Sequence, residues 1–116
     1  MRDTYMNAFS KGLSLSNCIQ DLTLSNTGLT DSRGINLIRN LKRERIRTLD
    51  LSYNPGLTRE FYKCFCNIYL QDERNQLLKL LLEGNKIGDS EVKMICNALI
   101  ESNSHLSLLN LSKNDI

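Results

Sequence analysis

Side chains able to do chemistry are few in this 116-residue sequence, and their spacing does not suit it. The four cysteines are Cys18, Cys64, Cys66 and Cys96; Cys64-x-Cys66 is one residue short of the C-x-x-C used by zinc and redox sites. His105 is the single histidine, and one imidazole cannot serve both as catalytic base and as a set of metal ligands. Neither G-x-x-x-x-G-K-[ST], G-x-G-x-x-G nor H-E-x-x-H occurs, so no phosphate cradle, dinucleotide site or zinc protease helix is encoded in those forms. The expectation is a protein that is not an enzyme, with no catalytic residue, no cofactor and no metal. Its cysteines are read as reduced thiols packed in or near a core.

Charge is the next candidate. Arg39, Lys42, Arg43, Arg45 and Arg47 crowd one stretch, which invites a nucleic-acid reading. Glu44 interrupts the run, cations are favoured at a helix C-terminus, and the whole chain carries only +2, so a solvated helix end is the simpler account. An acidic protein partner is the second reading of that cluster, and neither nucleic acid nor membrane is expected as a partner. No apolar run approaches the roughly 20 residues of a membrane span, and the first residues lack the apolar centre of a signal peptide. The expected location is cytoplasmic.

What the sequence does specify is periodic. Residues 106–116, LSLLNLSKNDI, fit L-x-x-L-x-L-x-x-N-x-I at Leu106, Leu109, Leu111, Asn114 and Ile116. Leu109 and Leu111, two apart, put their side chains on one face of a short strand, and Asn114 stands where the chain must turn out of it. There its amide can bond backbone groups that have left the ladder. Leu77, Leu80, Leu82, Asn85 and Ile87 repeat the pattern. So do Ile46, Leu49, Leu51 and Asn54, with Leu57 one place late because Pro55 and Gly56 lengthen the turn. A fourth copy, Ile19, Leu22, Leu24 and Leu29, has Thr27 in the asparagine position. The copies begin near 19, 46, 77 and 106, intervals of 27, 31 and 29 residues, which is the signature of a leucine-rich repeat. Residues 1–18 align with the segment before the last strand and are expected to be a helical half-repeat. The whole of 1–116 is read as one domain, a segment of a longer solenoid.

The segments between copies read as helices. Thr30 or Asp31 can cap one that carries Ile35, Ile38 and Leu41 on one face. A second follows Thr58, with Phe61, Cys64, Phe65 and Ile68 as its core face and Tyr62, Cys66 and Tyr69 as a further apolar stripe on the opposite side. That stripe either packs against neighbouring helices or docks another protein through Tyr62 and Tyr69. A third helix starts at Asp89 and turns Val92, Ile95, Ala98 and Leu99 inward.

The combination N-x-I-G-D at 85–89, three helical turns, a polar SNSH turn and the next strand resembles the ribonuclease-inhibitor class of leucine-rich repeats. That class also occurs in Ran GTPase-activating proteins, NOD-like receptors and leucine-rich subunits of cilia and centrosomes. The resemblance implies an α/β solenoid with short parallel strands on the concave side and helices on the convex side. On the concave face small polar residues then dominate, broken by Leu81 and Leu108 on adjacent strands with Tyr53 near one edge. If that face binds a protein these three are its anchors, and Asp50, Glu83 and Lys113 form a polar rim. The function so implied is a non-catalytic protein-binding scaffold, for example a structural subunit of a cytoskeletal or ciliary assembly. The alternative within the class is a regulator of a partner enzyme, such as a GTPase activator.

Overall fold

Each leucine pair spaced two apart brackets a three-residue strand. The computed structural model describes Ala8 and residues 20–41 and 45–116; the half-repeat expected over 1–18, Cys18, Lys42 and Arg43 lie outside the described residues, Ala8 apart. The strands are β1 (Asp21–Thr23), β2 (Thr48–Asp50), β3 (Lys79–Leu81) and β4 (Leu108–Asn110), all parallel and in chain order across one sheet. Leu22, Leu49, Leu80 and Leu109 stand opposite one another in register. Because side chains alternate along a strand, that row faces the helices and the residues on either side of each leucine face away. Leu49 and Leu80 are fully buried, each contributing roughly 2 kcal/mol relative to an exposed leucine. At β4, which has a neighbour on one side only, Leu106, Leu109 and Leu111 are half-buried.

Three helices connect the strands: α1 (Asp31–Leu41), α2 (Arg59–Phe65) and α3 (Asp89–Glu101). α2 runs directly into a π-helical turn, Cys66–Leu70, in which the Gln71 amide reaches back five residues to the Cys66 carbonyl at 3.0 Å. Asp31, in the first turn of α1, accepts the Thr58 amide at 2.7 Å and the Thr58 hydroxyl, joining the start of α1 to the N-cap of α2. A carboxylate there also complements the positive end of both helices. No helix among the described residues is long and apolar enough to cross a membrane.

The buried faces differ from those expected. α1 buries Gly34, Leu37, Ile38 and Leu41, while Ile35 is only partly covered. Gly34 accounts for this rotation: a methyl group there would stand 2.6 Å from Phe61 Cδ1, so the helix lies almost backbone-to-ring on Phe61. On α2 and its π turn the stripe of Tyr62, Cys66 and Tyr69 is more deeply buried than Cys64 and Ile68 of the expected core face. Tyr62 is 1% and Tyr69 4% exposed, so the outward-pointing docking role considered for them is corrected: both pack inside the chain, between helices. The wide π turn brings Cys66, Tyr69 and Leu70 round to the interior together. Phe61 meets Tyr62 edge-on at 5.1 Å and stacks on Phe65 at 5.4 Å, and Phe65 lies 5.6 Å from Tyr69, a continuous aromatic seam.

Candidate functional site

Among the described residues, no element covers the sheet face turned away from the helices. Two rows cross it in register: Asp21, Thr48, Lys79 and Leu108, then Thr23, Asp50, Leu81 and Asn110. With strands about 4.8 Å apart the rows span roughly 14 Å. Leu81 therefore stands directly beside Asp50 on one side and Asn110 on the other, with Leu108 two residues before Asn110 on the same face of the neighbouring strand. Leu108 is 46% exposed and Leu81 half-buried. Both lie on the sheet face turned away from the helices, on adjacent strands.

The turns that follow the strands carry the remaining candidates. Asn26, Tyr53, Gly84 and Lys113 occupy equivalent positions, and all four have positive φ, 53°, 56°, 68° and 55°. Tyr53 is 39% exposed, and its ring lies over Gly84, which has no side chain to displace it. Lys113 Nζ is 3.8 Å from Glu83 Oε1, so these two rim residues neutralise each other on the surface. Asp50 Oδ1 accepts the Ser52 amide at 2.9 Å, just as Asn110 Oδ1 accepts the Ser112 amide at 3.0 Å. The first of these bonds holds the Asp50 carboxylate beside Leu81.

The turn asparagines, Asn54 and Asn85 buried and Asn114 half-buried, hold the turns in place. Asn54 Oδ1 accepts the amides of Thr27 and Leu29, at 3.2 and 3.0 Å, while its Nδ2 donates to the carbonyls of Leu24 and Leu51, both at 2.9 Å. Asn114 does the same for Asn85 and Ile87, at 2.8 and 2.9 Å, and for Leu82 and Leu111, both at 2.9 Å. Asn85 keeps half of the pattern, accepting the Asn54 amide at 2.6 Å and donating to Leu51 at 2.9 Å. The longer Pro55-Gly56 turn moves the next amide, and Leu57 bonds Asn54 O at 3.1 Å instead. Each asparagine thus satisfies backbone groups of the preceding copy, not merely of its own. Thr27, which stands in the asparagine position of the first copy, donates its hydroxyl to Leu24 O at 2.8 Å and reproduces one of these bonds.

Of the other reactive groups, Cys66 is buried, Cys64 half-buried and Cys96 exposed, so the core reading does not extend to Cys96. No group of three metal-ligating side chains occurs among the described residues. No family model matches the chain, and no curated protein is significantly similar to it in sequence.

Proposed function

We propose that the chain is a stretch of leucine-rich-repeat solenoid of the ribonuclease-inhibitor class that serves as a non-catalytic protein-binding scaffold. The repeat assignment is supported by the recurrence of one unit: an inward leucine pair, a left-handed turn residue, and an asparagine bonded to the copy before it. The binding role rests on one observation above all, the pair Leu81 and Leu108 on adjacent strands of a sheet face whose other positions are mostly polar. Isolated exposed leucines are ordinary on protein surfaces; a pair on adjacent strands, beside an ordered carboxylate and near a tyrosine set on glycine, is the arrangement of an anchor with a polar rim. Membership of a cytoskeletal or ciliary assembly extends this proposal by analogy with the repeat class alone.

The experiment is a paired proximity-crosslinking comparison of the chain and its Leu81→Ser/Leu108→Ser variant. A partner crosslinked to the first and lost from the second, with the thermal melt unchanged, supports the sheet face as the docking surface. Equal crosslinking by both removes it. Stimulated GTP hydrolysis by an added small GTPase would replace the scaffold with the regulatory role.

A further inference from the structure

Neighbouring copies are joined by the same backbone bonds at each junction. The carbonyls of Gln20, Arg47 and Leu78 each accept two amides of the following copy, those at Leu78 being Ser107 at 2.8 Å and Leu108 at 3.1 Å. The amides of Leu24, Leu51 and Leu82 donate to the carbonyls of Asp50, Leu81 and Asn110, at 2.8, 2.9 and 2.9 Å. Those of Asn26, Tyr53 and Gly84 donate to Ser52, Glu83 and Ser112, at 2.9, 2.7 and 3.0 Å. In the fourth copy the equivalent groups are the Ser107 carbonyl and the amides of Leu111 and Lys113, and none of the three has a partner among the described residues. The turn shows the same gap: Asn114 Oδ1 accepts the Asn85 and Ile87 amides of the copy before it, and no described residue does so for the Asn114 amide itself.

The apolar side of this edge is incomplete as well. Leu80 and Leu82, with a copy on each side, are fully buried, whereas Leu109 and Leu111 are half-buried. A segment that satisfies both sets of groups is a strand with two apolar side chains two apart, followed three residues later by asparagine, as at Leu80, Leu82 and Asn85. It must run parallel to β4, because only then does its turn arrive beside Asn114; an antiparallel strand would bring its turn to Ser107. Asparagine is selected because one side chain must accept a neighbour's amide and donate to a neighbour's carbonyl, as Asn114 does with Asn85 and Leu82. The first copy of this chain does not supply it. The Thr27 hydroxyl sits one bond nearer its own backbone than an asparagine Oδ1 and donates to Leu24 O within its own copy. A second copy of the chain stacked through β1 therefore fits the edge less well than an asparagine-bearing segment of another protein.

We propose that the outer edge of β4 is an interaction surface that binds a strand-and-turn segment of pattern L-x-L-x-x-N from a partner protein, parallel to β4 and in the register that β4 itself takes on β3. The proposal rests on the bonds between copies and not on the docking role of Leu81 and Leu108. The test is a fluorescence-polarisation titration of the chain with three labelled peptides, joined to amide hydrogen exchange read by NMR. The peptides are LLKLLLEGNKI of residues 77–87, the same with Asn85→Ala, and IQDLTLSNTGL of residues 19–29. The first binds; Asn85→Ala weakens it about tenfold, and the 19–29 peptide binds no better than that variant. Bound peptide slows exchange of the Leu111, Lys113 and Asn114 amides. Leu81→Ser in the chain leaves peptide binding unaltered, which separates this edge from the sheet face. No binding, equal binding of the Asn85→Ala peptide, or unchanged exchange at the three amides overturns the proposal. So does slow exchange at those amides before any peptide is added: if sedimentation then shows self-association, a second copy is the occupant, and if it shows a monomer, the chain covers its own edge.

Discussion

The ring of Tyr53 lies against the backbone of Gly84, so closely that a methyl group on residue 84 would stand 2.6 Å from Tyr53 Cδ1. Both residues occupy the left-handed turn position, with φ of 56° and 68°. A tyrosine is a costly residue there, and the bare glycine next to it gives the ring a flat surface to rest on.

Gly84→Ala therefore carries two penalties, a left-handed backbone with a Cβ and the displaced ring, and is expected to lower stability by about 1–2 kcal/mol in urea unfolding. In a Tyr53→Ala background the ring penalty is absent, so the same substitution costs less. Equal costs in the two backgrounds would show that the ring contributes nothing.

Replacing Asn54 by Ala strips the amides of Thr27 and Leu29 of their side-chain acceptor inside the protein and leaves the Leu24 carbonyl with the Thr27 hydroxyl as its side-chain donor. Leaving such buried groups unsatisfied is expected to cost roughly 2–4 kcal/mol. Asn114→Ala removes the same kind of bonds where the site is only half-buried, and water can take up the freed groups, so its cost is smaller. Chemical denaturation of the two variants checks the order.

Gly34→Ala sets favourable helix propensity against overpacking. Phe61 is fully buried and stacked on Phe65, so it cannot yield the space a methyl group requires. A net loss of about 1–3 kcal/mol is expected, relieved by Phe61→Leu in the same chain. Thermal melts of the single and double variants decide it.

Burial pushes the Cys66 thiol from its ordinary 9.0 up to about 11. The folded protein keeps this proton more tightly than the unfolded chain, so the stabilisation is complete below about pH 9 and is lost as pH rises towards 11. At about 1.4 kcal/mol per pH unit, the loss across that window is roughly 2–3 kcal/mol. Burial also pushes the phenols of Tyr62 and Tyr69 upward, which steepens the decline at still higher pH. Urea midpoints should fall between pH 8.5 and 10.5, less so in Cys66→Ala. Alkylation of the folded protein should reach exposed Cys96 before Cys64, and Cys66 last.

The strands, the inward leucine row, the helix starts near Asp31, Thr58 and Asp89, and the turn asparagines were all legible in the sequence, because each depends on a residue type at a fixed local interval. Alternation along a strand needs no partner to be read, and it also located Leu81 and Leu108 on the face turned away from the helices. Long-range packing decided the rest. Whether the stripe of Tyr62 and Tyr69 met solvent or other helices depended on where α1 and α3 came to lie, and Gly34 brought α1 onto Phe61 in a way no helical period describes. The reach of Asn54 and Asn114 into the preceding copy and the resting of Tyr53 on Gly84 join residues about 25 or more positions apart. Local spacing determined what each segment forms; stacking parallel segments in register decided which of their side chains meet, since that contact exists only once neighbouring copies are in place.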